Sequence, residues 1–151
     1  MSEEHFWHIV SLLAWDHVGD DDAVVLPVVT ALAAGSDADI ISFQDTLAQK
    51  LFRLDGMSFA RHIGRGSFTG GDEHFSPDEF LYIRCCVVAN GREVYERVLN
   101  DPHEMPKEAE FEPLLYIAPD AYKLKTGGAQ FSHKTPVSYE TFSNKEQWKL
   151  E

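Results

Sequence analysis

Apolar residues near the start of the chain recur at helical spacing. Phe6, Ile9, Val10 and Leu13 fall at i, i+3, i+4 and i+7 and define one core-facing stripe, with Trp7 and Trp15 near its flanks. Ser2 is placed to cap this helix, with Glu3 and Glu4 in its first turn. Gly19 and the run Asp20-Asp21-Asp22 interrupt the stripe and suit the start of a second helix over 21–34. Pro27 should kink that helix or reset its first turn, and Gly35 ends it. A third begins at Ser36, with Asp39 at the reciprocal capping position. Its seam of Ile40, Phe43, Leu47, Leu51 and Leu54 is the most regular in the chain. After the Asp55-Gly56 break, a short helix is expected from Met57 to Ile63.

The clearest start and stop signals lie between Gly70 and Pro102. Ser76 is an N-cap, Glu79 can close a capping box, and Pro77 occupies the first helical position, where a missing N–H costs nothing. From Phe80 to Ala89 the pattern is apolar nearly all round, broken mainly by Arg84, which places this helix at the centre of a bundle. Asn90-Gly91 turns the chain into a second helix with Tyr95, Val98 and Leu99 on one face, stopped by Asn100-Asp101-Pro102, so the two form a helical hairpin. A polar linker, Pro102–Glu110, leads to a last major helix over 111–126, bent at Pro119 and closed by Gly127-Gly128, with Leu114, Leu115, Ala118 and Tyr122 inward. Alternating strand patterns are scarce. The reading is all-α: a compact irregular bundle of five to seven helices over residues 3–127, forming one domain. An extended tail, 128–151, packs back through Phe131, Tyr139, Phe142 and Trp148.

Composition narrows the function classes. At 151 residues and 44% hydrophobic content the chain can bury a sizeable core. No apolar run approaches a membrane span and the acidic N-terminus does not resemble a signal peptide, so a soluble cytoplasmic protein is expected. The net charge is −12, and residues 1–55 hold ten acids against Lys50 and Arg53, a local −8. Such a surface disfavours nucleic acid and anionic lipid and favours a basic protein partner. The two cysteines are adjacent, Cys85-Cys86, a spacing that suits neither a helical disulfide nor a zinc site; they read as small buried hydrophobes.

Several of these segments together resemble DUF4240, a bacterial family of unknown function. The resemblance lies in Glu4-His5-Phe6-Trp7, the amphipathic helix around Phe43, and the loop Gly70-Gly71-Asp72 leading through Phe80 to Gly91. It continues in Tyr95, Leu99 and Asp101-Pro102, and in Leu114-Leu115-Tyr116-Ile117-Ala118. It spans residues 3–127 and implies a helical fold, with no activity, cofactor or catalytic residue to carry over.

Two function classes remain. The acidic first third and the lack of a catalytic signature favour a non-enzymatic interaction module, inhibitor- or immunity-like, contacting a basic partner through Asp20, Asp21, Asp22, Asp37 and Asp39. The alternative is a small-molecule or anion binder, or an enzyme, built on the glycine-rich loop Gly64–His74 and Arg84, with Gly70, Gly71, Asp72 and His74 as ligand contacts. That loop lacks the preceding strand and following Lys-Ser/Thr of a phosphate-binding loop. Asp72, Glu73 and His74 with His62, the pair His5 and His8, and the group Asp16, His17 and Asp20 lack metalloprotease or calcium-loop spacing, so no metal or cofactor is assigned. Arg84, alone in an apolar helix, is expected to snorkel or to meet a carboxylate, a structural ion pair being the favoured arrangement.

Overall fold

The computed structural model describes residues 1–70 and 74–149. Among them the chain is all-α. Seven helices follow in order: α1 (Glu3–Val10), α2 (Asp21–Ala33), α3 (Asp37–Arg53), α4 (Met57–Ala60), α5 (Pro77–Ala89), α6 (Arg92–Asn100) and α7 (Ile117–Thr126). Short 3-10 turns lie at Trp15–His17, Pro102–Glu104, Glu112–Tyr116 and Lys145–Trp148. Among the described residues no helix is long and apolar enough to cross a membrane. The chain forms two compact units, one of Met1–Leu47 with Pro113–Pro136, the other of Ala48–Glu112 with Val137–Glu151.

In the first unit, Ser2 Oγ accepts from His5 N at 3.1 Å and starts α1. The helix ends at Val10, short of Leu13, yet Leu13 stays buried because Leu12 and Leu13 continue as a tighter turn, donating to Ile9 and Val10. Trp7, expected at a flank, is buried and meets Phe6 edge-on, while Phe6 also contacts Phe43 at 5.3 Å between ring centroids. Pro27 lies inside α2 without dividing it and is exposed. The opposite face, Val24, Val25, Val28, Val29 and Leu32, is buried. The principal contact of α2 is α7, whose buried Ala118 and Ala121 let the two helices approach closely. The Ser36–Asp39 box closes in both directions, at 3.0 and 3.1 Å.

The expected helix over 111–126 is instead a 3-10 turn, Glu112–Tyr116, followed by α7. Pro119 explains the restart: lacking an N–H, it cannot continue a ladder from upstream, but it fits the first turn of α7, whose donors have no intrahelical acceptor. Gly127 closes α7 at φ +72°, and Phe131 of the following segment meets Tyr122.

In the second unit, α5 and α6 form the expected hairpin. Asn90 keeps an ordinary φ of −81° and Gly91 takes the positive value, +100°. Ser76 Oγ accepts from Glu79 N at 3.1 Å, but the reciprocal bond is not made; Glu79 turns toward Gly66, where an added Cβ would come within 2.8 Å of its carboxylate. On α5, Phe80, Ile83, Cys85, Val87 and Val88 are fully buried. Tyr95 of α6 donates its hydroxyl to Lys50 O at 2.9 Å. Both cysteines are free. Cys85 is sealed and Cys86 partly exposed, and burial pushes both thiols up, away from the reactive thiolate.

Candidate functional site

The acidic residues singled out by sequence divide by what each does locally. Asp20 caps α2, accepting from Ala23 N at 3.2 Å, and Asp39 is committed to Ser36, whose hydrogen bonds hold its carboxyl below the ordinary carboxylate range. Asp37 lies 3.9 Å from Lys125. Asp21 and Asp22 stand exposed in the first turn of α2. The segment Trp15–Asp22 is exposed at every one of its positions and combines Trp15, Val18 and four aspartates. It is nevertheless tied down. Ala14 N donates to Val24 O at 2.9 Å, and within the segment His17, Val18 and Asp20 donate to Ala14, Trp15 and His17. Val18 is 75% exposed and Trp15 39%, so two apolar side chains stand at the surface of an ordered turn. Sequence reading found the aspartates but treated Trp15 as the flank of a helix that ends before it.

The glycine-rich loop has a different character. Two of its amides are engaged, Ser67 N donating to Gly64 O and Phe68 N to Ala60 O, and Ser67 Oγ accepts from Ile63 N just before the loop. Arg65 pairs with Glu108, whose side chain also packs against Gly64. Gly70 is exposed with φ +103° and no atom near its missing Cβ, and His74 is exposed. Gly71 and Asp72, named as ligand contacts, and Glu73, weighed with His74 as a metal ligand, lie outside the described residues.

Arg84 corrects the expected ion pair. It is fully buried and, among the described residues, meets neutral acceptors only: Nη1 donates to Leu51 O at 2.9 Å and Tyr139 O at 3.0 Å, Nη2 to Thr141 Oγ1 at 2.9 Å, and Nε has no partner. Thr141 Oγ1 in turn donates a hydrogen bond to Pro77 O at 2.7 Å, and the guanidinium carbon sits 4.7 Å from the centre of the Phe80 ring. Burial draws the guanidinium down to about 10, and the charge of Asp55 opposes that shift. Asp55 is itself fully buried and accepts from Phe142 N at 3.1 Å, Asn144 N at 2.9 Å and Trp148 Nε1 at 2.6 Å. Both buried charges therefore hold the segment from Tyr139 to Trp148. Phe142 is kept there at φ +77°, a strained value for a residue with a side chain.

Two histidine pairings escaped the sequence. His133 Nε2 lies 2.7 Å from Asp45 Oδ1 in the first unit. In the second, His62 stacks on His103 with centroids 4.1 Å apart, and Lys107 Nζ donates to His62 O and His103 O. Separations of 88 and 41 positions put such pairs beyond any local pattern. Among the described residues no three histidine, cysteine or carboxylate groups converge as metal ligands.

The model of the family DUF4240, described as a protein of unknown function, matches residues 1–124. No curated protein and no solved structure matches the sequence. With most of its length inside that match, the chain belongs to the DUF4240 family.

Proposed function

We propose that this chain is a protein-binding module that engages a basic partner through the Trp15–Asp22 segment and the start of α2. The observation that carries the reading is that segment itself: eight consecutive exposed residues on a hydrogen-bonded turn, with two apolar side chains set among four carboxylates. The surrounding charge supports it. The first unit holds ten carboxylates against three lysines, a formal −7, and residues 1–47 contain no lysine or arginine. An aromatic anchor on an ordered turn binds with little conformational entropy to lose, and a rim of like charge selects and steers an oppositely charged partner. Arg84, by contrast, is committed to the interior, with Nη1 and Nη2 donating to Leu51 O, Tyr139 O and Thr141 Oγ1, which weighs against an anion site built on it.

The test is affinity capture from native lysate by the full chain, by Trp15→Ala, and by the triple variant D20N/D21N/D22N. Asparagine preserves the α2 cap, so charge changes while the fold does not. A basic protein should be held by the parent at low salt and released as salt rises, since exposed charges are screened over about 10 Å at 0.1 M. Trp15→Ala should weaken it by roughly 30-fold, the loss of a hot spot worth about 2 kcal/mol. An identical set of captured proteins in all three forms would remove the reading.

A further inference from the structure

We propose that the second unit carries a binding pocket for a small monocarboxylate with an aromatic or branched apolar body, organised by Arg53. The pocket has a volume of about 610 Å³, within the ~300–1,000 Å³ typical of small-molecule sites. Phe52 and Arg53 come from the end of α3, Phe59 from α4, and Glu96, Leu99 and Asn100 from α6. Asn144 and Gln147 of the C-terminal segment complete it.

The polar groups in this lining are not equivalent. Asn144 Nδ2 is committed to Phe52 O at 3.0 Å and Gln147 Nε2 to Arg53 O at 2.8 Å, so those amides build the wall. Glu96 is taken by Arg92 at 2.9 Å. Among the described residues, the Arg53 guanidinium and the Asn100 carboxamide have no protein partner, and both residues are exposed. One unspent cation and one unspent amide beside Phe52, Phe59 and Leu99 match a ligand with a single anionic end and an apolar body. The guanidinium fork fits a carboxylate through two parallel hydrogen bonds. Net charge narrows the class further: a chain of −12 repels polyanions such as nucleotides, whereas one carboxylate is neutralised locally by Arg53.

The position of the wall is built in. Asp55 fixes Asn144 N, and Gly56 allows Gln147 to lie so close that an added Cβ would come within 2.7 Å of the Gln147 Cβ. Both wall residues lie beyond the family-matched stretch, which ends at residue 124. This pocket is independent of the Trp15–Asp22 surface, and neither proposal stands on the other.

The experiment is a titration of the full chain with 3-phenylpropionate and with its neutral analogue 3-phenylpropionamide, followed by NMR at the Arg53 Nε–H and the Asn100, Asn144 and Gln147 side-chain amides. The acid should shift these signals and bind about tenfold more tightly than the amide, the value of one charge-assisted contact. R53Q should erase that preference without changing the thermal midpoint, since Arg53 is exposed, and R53K should retain part of it. Equal affinity for acid and amide, an undiminished preference in R53Q, or no shift of the pocket signals would each overturn the proposal.

Discussion

The two units solve the problem of a stable interior differently. In the first, the buried set is almost wholly apolar, with Gln44 the one buried polar exception among the described residues, and the acids other than Asp45, inside α3, sit at helix starts and on exposed turns. In the second, Lys50, Asp55, Arg84 and Asn144 are all buried, Asp55 and Arg84 completely. An apolar interior is specified by volume and periodicity; a buried charge is specified by partners, and it is costly whenever a partner is missing. The second unit spends that specificity on the segment Tyr139–Trp148, which has little regular structure of its own.

The largest expected effect tests this contrast directly. Asp55→Ala strips three donors of their fully buried acceptor and removes the charge that offsets Arg84. Breaking such a buried arrangement costs about 3–5 kcal/mol, a large part of the ~5–15 kcal/mol that holds a typical domain together. Denaturant unfolding should show that loss, and limited proteolysis should cut near Phe142. The matched control in the first unit is Asp45→Ala, which removes the partly exposed partner of His133 and should cost about 0–1 kcal/mol. Similar losses in the two variants would erase the distinction between the units.

The same contrast sets what could be read from sequence. Ser2, Ser36 and Ser76 cap as their neighbours suggest, and Ile40, Phe43, Leu47, Leu51 and Leu54 are buried without exception, because caps and stripes are local codes. Asp55 read only as a break before a short helix. Its partners lie 87 to 93 positions away, and nothing local distinguishes it from a turn aspartate. Arg84 was legible as an anomaly, but not the neutral oxygens that accept from its Nη1 and Nη2, which come from 33 to 57 positions away. The pocket around Arg53 was illegible for the same reason: four separate stretches contribute to it.

A smaller effect separates structure from recognition within the acidic segment. Asp20→Ala removes the acceptor for Ala23 N and should cost about 1 kcal/mol, whereas Asp21→Ala and Asp22→Ala should stay within ~0.5 kcal/mol of the parent in thermal unfolding. Comparable destabilisation by all three would mean that the exposed pair shapes the fold of the first unit as well as its surface.

The smallest expected effect concerns His62 in the second unit. Partial burial lowers its basicity first, the stacked His103 and the ammonium of Lys107 lower it further, and Asp101 pulls the other way. The folded midpoint therefore lies below the ordinary 6.5. The fold favours the neutral ring, so protons bind the unfolded chain more readily. Its contribution to stability is complete above about pH 6.5 and is lost as pH falls through the lower folded midpoint. Most of the ring's surroundings remain wet, so the change in stability should be slight and the midpoint itself is the better observable. An NMR titration should place His62 below 6.5, and His103→Ala should move it upward by removing both a like charge and part of its cover. A midpoint at or above 6.5 in the parent would mean that Asp101 outweighs burial and the neighbouring cations.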